Sequence, residues 1–508
     1  MLIKTHGFAV YGVEAIPITI ETNVGQGINF FLVGLPDSAV KESHQRIKAA
    51  FTNTLLKFPR KEVTINMAPA DIRKEGSAYD LSIAVGILAA SEQIEPEKIA
   101  DYVIMGELSL DGSLRPIKGA LSMAIKAKEL GFKGFILPKQ NSQEVSIVEG
   151  LTIFGIDKIT DVVEYFNGEK TLKPVHYTPQ TELEIYHEFA IDFSDVKGQE
   201  NVKRALEIAA CGGHNILLIG PPGSGKTMLA KRLPSILPPL TTDEALETTK
   251  IHSVAGLVGA NKGLLTKRPF RSPHHTVSDV ALVGGGSHPK PGEISLAHNG
   301  ILFLDELPEY KRQVLEVMRQ PLEDRMVSIS RAKMSVDFPA GFMLVASMNP
   351  SPSGNFYDPN DPNSDPEYIV KRYMNKISGP LMDRIDLHIE VPAVPFEKLS
   401  NAEKGESSAI IRKRVVKTRN MQEKRFEAIP KLHYNAQLEP KLIEKFCGID
   451  SNGQELLKKA MDKMGLSARS YSRILKVART IADMEESDSI LTQHLAEAIQ
   501  FRSLDRNN

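Results

Sequence analysis

Cysteine is scarce in this 508-residue sequence: Cys211 and Cys447 are the only two, and they lie far apart. They suggest no disulfide framework, which fits a reducing compartment. Neither sign of charge is in excess, because 62 Lys and Arg stand against 63 Asp and Glu. Overall basicity therefore does not advertise a polyanionic partner, and any such binding must come from local patches. No apolar run approaches the roughly 20 residues that a membrane helix needs. Residues 1–11 carry charge and glycine but no secretory h-region. A cytoplasmic protein with no membrane association is expected. What is present is ordinary for a soluble protein, with 42% hydrophobic and 25% charged residues, and the length predicts about three domains.

Residues 217–227 read L-L-I-G-P-P-G-S-G-K-T. An apolar run breaks into a glycine-rich turn, and an apolar helical pattern opens at Met228. The pattern G-x-x-x-x-G-K-[ST] carries meaning in that strand–turn–helix setting. Gly220, Gly223 and Gly225, with Pro221, Pro222 and Ser224 between them, let the backbone curl so that its N–H groups face a phosphate chain. Lys226 adds a charge for the β- and γ-phosphates, Thr227 a hydroxyl for Mg²⁺, and the helix N-terminus its dipole. The chain is expected to bind a nucleoside triphosphate.

A second apolar run, 300–306, reads G-I-L-F-L-D-E and ends in two acids. Asp305 would hold Mg²⁺ through water, and Glu306 would orient and polarise the attacking water. Such an ending suits hydrolysis of ATP rather than transfer to a small acceptor. A third run, 342–350, ends in Asn349-Pro350, an amide placed to contact the γ-phosphate or the attacking water. Further on, Arg384 lies between Asp383 and Asp386. Arg469 and Arg473, four residues apart, share a helix face.

Together these segments resemble an AAA+ ATPase. The resemblance makes Asn349 sensor 1, and Arg384 the arginine finger that reaches a neighbouring subunit's γ-phosphate in chelatase and MCM-like motors. It makes Arg469 sensor 2 on a C-terminal α-helical lid, with Arg473 as the fallback. Residues 192–199 resemble the segment beside the adenine. A finger that completes a neighbour's site demands head-to-tail contact, and a closed head-to-tail contact makes a ring; the resemblance implies a hexamer. A surface pair of Arg384 with Asp383 or Asp386 is the plainer alternative.

Within residues 1–170, short apolar runs (15–20, 28–33, 63–67, 102–105, 134–137, 151–154) alternate with helical patterns (38–56, 78–91, 118–130). They predict an α+β or α/β domain. Segments 69–81 and 106–119 resemble the proteolytic domain of Lon proteases, which implies a ribosomal-S5-like fold and a Ser–Lys dyad. In the register set by Lys74-Glu75-Gly76, the serine position falls on Ala78, with Ser77 one place early. The lysine position falls on Leu121, with Lys118 three places away. A nucleophile needs its base within hydrogen-bond reach. An inactive scaffold is therefore expected, as in RadA-type recombination proteins, and not a peptidase. The polar stretch 171–191 reads as a linker. The expected organisation is a Lon-like α+β domain (1–170), the linker, a P-loop AAA+ α/β/α core (192–395) and a helical lid (396–508).

Between the P-loop helix and Asp305 lies an unusual block, 268–299, containing Arg268-Pro-Phe-Arg-Ser-Pro-His-His275-Thr and Ala281-Leu-Val-Gly-Gly-Gly286. With 300–386 it closely resembles the magnesium-chelatase-like AAA+ proteins of the YifB/ComM family, and the likeness covers nearly the whole chain. That resemblance implies DNA branch migration in natural transformation or recombination, driven by ATP and Mg²⁺. Candidate DNA contacts are Arg325, Arg331 and Lys333, on a β-hairpin expected at 324–334. Repeated around a ring pore, modest charge per chain becomes a dense track for sequence-independent binding of branched or single-stranded DNA. A hairpin that touches only neighbouring subunits is the alternative. The basic run 412–419, with Ile411, Val415 and Val416 inward, reads as a charged outer face. His274-His275 with His252 or His288 could be drawn as a metal cluster, but adjacent histidines without cysteine make a poor zinc set. Many relatives carry a cysteine-rich knuckle after the Asn-Pro; 351–365 holds no cysteine, so that loop's role does not carry over. Competing readings are the motor subunit of a metal chelatase, a protein remodeller and an ATP-dependent peptidase.

Overall fold

The computed structural model describes residues 1–177, 189–259, 262–286, 289–331, 334–355, 365–394 and 405–502. The N-terminal sheet has seven strands, in the order Phe30–Val33, Glu62–Ala68, Glu14–Gly25, Leu2–Tyr11, Tyr102–Ile104, Gly134–Pro138, Thr152–Ile156. The six apolar runs read from the sequence each contribute a strand. A seventh lies where none was expected: Leu2–Tyr11 pairs antiparallel with Glu14–Gly25, from Leu2↔Asn23 to Tyr11↔Glu14. Its polar residues hid it, since Thr5 is fully buried within it. Helix Asp80–Ala90 is buried at every position, as a helix apolar all round must be.

The second sheet is parallel throughout, in the order Phe270–Arg271, Ile301–Leu304, Met343–Met348, Ile216–Ile219, Leu387–Glu390. Its three inner strands are buried at every residue, which is why they read as unbroken apolar runs. In such sheets ligands bind outside the carboxyl ends of the strands. Gly220, Asp305 and Asn349 all leave the sheet at that edge. Two antiparallel hairpins project from this domain: Gly284–Gly285 with Lys290–Pro291, and Met326–Arg331 with Met334–Pro339.

The C-terminal helices Ser408–Phe426, Pro440–Phe446, Ser451–Met464, Ala468–Met484 and Thr492–Gln500 share one hydrophobic core with the parallel sheet. The expected outer face at 412–419 holds for Lys413, Arg414 and Lys417, which are exposed above buried Ile411 and Val415, but Arg412 and Arg419 turn inward. Arg412 donates to Ser235 O, Arg414 pairs with Glu207 and Glu406, and Arg419 donates to Ala210 O while stacking 4.2 Å over Tyr434. Long arginine stems pack as apolar matter while their heads find acceptors, so the run fastens the lid to helix Glu200–Gly212.

A buried ion pair fixes the same joint. Asp386 lies 2.9 Å from Arg473 and 3.4 Å from His214, and accepts from Asn215 N at 3.0 Å. Burial works to raise its pKa, but Arg473 and His214 outweigh burial and hold the carboxyl well below its usual range. Removing one partner of a buried pair leaves the other charge uncompensated. Asp386→Ala is therefore expected to destabilise the joint between the parallel sheet and the C-terminal helices by about 3–5 kcal/mol, read as a lowered urea midpoint.

The N-terminal domain is seated on the domain of the parallel sheet. Gly119 N donates to Ser253 O at 3.0 Å, and Lys250 pairs with Glu14 at 3.3 Å. Tyr11 and Val13 pack on the core beneath the second hairpin, and a Cβ on Gly12 would lie 2.5 Å from Val336 Cγ1. No helix among the described residues is long and apolar enough to cross a membrane.

Candidate active site and an arginine cluster at the opposite sheet edge

The loop after Ile219 takes the shape its glycines permit. Gly223 and Gly225 have φ of 77° and 91°, and a Cβ on Gly220 would meet Val391 O at 2.2 Å. Lys226 opens the following helix and is only 9% exposed. Its Nζ donates to Gly220 O (2.6 Å), Pro221 O (2.9 Å) and Asn349 Oδ1 (3.1 Å). These acceptors are all neutral. Burial lowers the lysine's pKa, and the nearby charges of Asp305 and Glu306 only oppose that shift. A buried ammonium in a loop of carbonyls lacks a direct counter-ion, and a phosphate chain would supply one. The residues present therefore fit a nucleotide phosphate.

Thr227 Oγ1 donates to Asp305 Oδ2 at 2.8 Å, so the hydroxyl and carboxylate chosen for Mg²⁺ are already adjacent. Ser347 Oγ donates to the other oxygen, Asp305 Oδ1, and Glu306 N lies 3.1 Å from that oxygen. Glu306 occupies the left-handed region at φ 54°, and its side chain is 58% exposed. The turn swings it away from Asp305 and towards the loop 272–278. There its Oε2 lies 3.5 Å from His275 Nδ1. The P-loop's neighbours Pro222 and Met228 sit at its rim: a Cβ on Gly354 would meet Pro222 Cδ at 2.6 Å, and Met228 is 37% exposed. Ser224 Oγ is buried without a hydrogen-bond partner.

Sequence reasoning missed three residues here. Gln199 Nε2 bridges Ser224 O (2.9 Å) and Pro392 O (3.0 Å), tying the P-loop to the last strand. Ser347 orients Asp305. His275 lies beside Glu306. A lone serine in an otherwise apolar strand was the signal available for Ser347. His275 stood within a block already noted as unusual.

The arginines lie elsewhere. Asp386 N and Leu387 N both donate to Asn215 O at 3.0 Å, and residues 215 and 386 immediately precede paired strands. Arg384 is therefore at the amino ends, while the P-loop is at the carboxyl ends. A four-residue strand separates the two by roughly 13 Å. Arg384 is 5% exposed and pairs with Glu323 rather than with Asp383 or Asp386; its Nε is buried without a partner. Asp383 instead faces Arg469 at 3.7 Å, and Asp386 holds Arg473. Arg384, Arg469 and Arg473 thus gather around one turn.

In the second hairpin, Val327, Ile329, Val336 and Phe338 are buried, and Ser328 and Asp337 join hands outside at 2.6 Å. Arg331 ends the first strand opposite Met334; Lys333 lies outside the described residues. Arg325 is turned to the lid, with Nη1 3.1 Å from Tyr434 Oη and the guanidinium 5.2 Å from that ring. It is a lid contact at the hairpin's base, not a cation at its tip. His252 bonds to Leu296 O at 3.0 Å, and His288 lies outside the described residues. Among those described, no group of three or more His, Cys, Asp or Glu residues could hold a metal ion. Of the cysteine-free stretch, 356–364 lies outside the described residues.

In the N-terminal domain Leu121 is fully buried, Ala78 packs against the core, and Ser77 donates to Glu107. Lys118 instead lies against Gly256, at the end of helix Thr242–Ala255, where a Cβ would meet its Cε at 2.7 Å.

Comparison with known proteins places this geometry. The family model described as magnesium chelatase, subunit ChlI, matches residues 192–399; those for subunit ChlI of Mg-chelatase and for the ChlI C-terminal region match 20–141 and 405–502. Uncharacterized protein YifB of Salmonella typhimurium is 46% identical over 99% of this chain and 97% of its own. Competence protein ComM of Haemophilus influenzae is 45% identical over 98% and 97% respectively. Lon protease 2 of Bacillus subtilis is 31% identical over 157 residues, 28% of this chain and 27% of that protein. A Lon-like domain, a parallel P-loop sheet and a helical lid along one chain, with this identity along its length, mean that the protein belongs to the YifB/ComM family of magnesium-chelatase-like AAA+ proteins.

Proposed function

We propose that the chain is an ATP-hydrolysing, ring-forming motor that moves DNA strands or junctions, a branch-migration translocase of recombination or natural transformation acting in the cytoplasm. One observation carries the reading. The groups that would hold ATP and Mg²⁺ sit at one edge of the sheet, and the arginines that would stabilise the transition state sit at the other. Within one protomer the site is incomplete. Head-to-tail stacking brings Arg384, with Arg469 beside it, to the next protomer's phosphates, and repetition closes a ring, taken as a hexamer.

Lys226 and the P-loop amides cradle the phosphates, with Thr227 and Asp305 as the Mg²⁺ holders. The ion would neutralise charge developing between the β- and γ-phosphates. Glu306 takes the proton of the attacking water, and Asn349 orients that water or the γ-phosphate. The N-terminal domain is assigned no peptidase step. DNA is assigned to the second hairpin through Arg331 and Lys333. The name of the Haemophilus relative supports a substrate from natural transformation. The ChlI description of the family models keeps a chelatase motor subunit as the alternative.

ATPase rates with and without single-stranded or four-way-junction DNA test this. Arg331→Ala with Lys333→Ala is expected to abolish stimulation at unchanged DNA-free rate and to flatten the salt slope by about 2. Stimulation equal to wild type in that variant overturns the hairpin assignment. A response to a protein or porphyrin complex and none to DNA favours the alternative.

A further inference from the structure

A fourth arginine reaches the turn around which Arg384, Arg469 and Arg473 gather. Arg502 follows helix Thr492–Gln500 and is 1% exposed. A guanidinium is rarely buried so fully unless its donors are used, and here its fork spans two elements. Nη1 donates to Ile385 O, and Nη2 to Ser470 Oγ at 3.2 Å. Ile385 adjoins Arg384, and Ser470 adjoins Arg469. One side chain therefore bridges the turn that carries the finger and the helix start that carries its exposed neighbour.

Backbone contacts fix both ends of this bridge. His388 N donates to Phe501 O at 2.7 Å, which sets Arg502 in parallel register beside the edge strand Leu387–Glu390. Ser467 Oγ accepts from Ser470 N at 3.1 Å and so caps helix Ala468–Met484. On the turn itself, Asn215 Nδ2 donates to Arg384 O at 3.0 Å. The successive carbonyls of residues 384 and 385 are thus held by two different elements, and both residues are buried.

We propose that Arg502 is a positioning residue that aims Arg384 and Arg469 together at the next protomer's phosphates. It holds the two segments in one register, so that their arginines move as a unit with the strand edge. The proposal rests on Arg384 completing a neighbour's site. Shortening the side chain takes a donor from the buried Ile385 carbonyl and releases the turn. Misplacing a catalytic group by about 1 Å costs about 10²-fold in rate.

Steady-state ATPase, binding of a fluorescent ATP analogue and mass photometry on Arg502→Ala test this. Its kcat should fall about 10²-fold, with analogue affinity and ring population unchanged. Co-assembled mixtures then report on which side of the seam the defect lies. Lys226→Ala spoils the phosphate side, and Arg384→Ala the arginine side. Arg502→Ala with Lys226→Ala forms some seams that join an intact P-loop to an intact finger, so the rate should rise about tenfold above either variant alone. With Arg384→Ala it should gain nothing. A wild-type kcat in Arg502→Ala, no rescue by Lys226→Ala, or rescue by Arg384→Ala overturns the proposal. Arg384→Ala with Lys226→Ala is the control. If that pair does not complement, the shared site itself is refuted and Arg502 has no finger to aim; if it does, the other mixtures judge Arg502 alone. Should Arg502→Ala fail to assemble, Arg502→Lys, whose single ammonium cannot reproduce the fork, replaces it under the same criteria.

Discussion

Arg384→Ala is expected to lower the ATPase kcat of the assembled protein by about 10³-fold or more, with nucleotide affinity and assembly kept. A finger in trans contributes almost nothing to ground-state binding. Its charge matters when negative charge spreads over the transferring phosphoryl group. The geometry favours such a role, because Arg384 stands at the strand ends remote from its own P-loop and has one buried N–H without an acceptor. It also offers a competing explanation, since Arg384 pairs with Glu323 and its loss could loosen the protomer. Glu323→Gln separates the two. If the pair is merely structural, both variants lower the melting temperature alike and lower kcat alike. If Arg384 serves a neighbour, only Arg384→Ala loses turnover.

Glu306→Gln carries the second large effect. Removing a general base costs typically 10² to 10⁴-fold, and an amide of the same shape leaves the P-loop undisturbed. The variant should bind ATP as tightly as wild type and hold it unhydrolysed. Lys226→Ala should fail one step earlier, at binding, because its buried ammonium is the group that lacks a counter-ion. Equilibrium binding of a fluorescent analogue, followed by single-turnover hydrolysis, distinguishes the two losses. Tight binding with wild-type turnover in Glu306→Gln would remove that residue from the mechanism.

The strand–turn–helix around Lys226 was readable in the sequence because its parts are local. A strand, a glycine turn and a helix start lie within a dozen residues, and buried parallel strands announce themselves as apolar runs. What escaped was long-range. Arg325 was read as a hairpin cation, but its partner, Tyr434, is 109 residues away. The basic run at 412–419 reads as an outer face, and Lys413, Arg414 and Lys417 are exposed there, yet Arg419 reaches Ala210 O, 209 residues earlier. Nothing in local composition tells a solvated arginine from one whose stem is packed. Strand Leu2–Tyr11 was overlooked because its buried positions include Thr5 and Gly7 rather than a run of aliphatics. The distinction between Arg469 and Arg473 needed coordinates too. Arg473 is committed to buried Asp386, whereas Arg469 is 58% exposed beside Asp383.

Dilution reports on shared sites most directly. ATPase rate per protomer, measured across a dilution series with mass photometry on the same samples, should fall in step with the loss of rings and approach zero in the monomer. A monomer that turns ATP over at the rate of the ring would show that each chain carries a complete site, and the arrangement argued from Arg384 would be wrong.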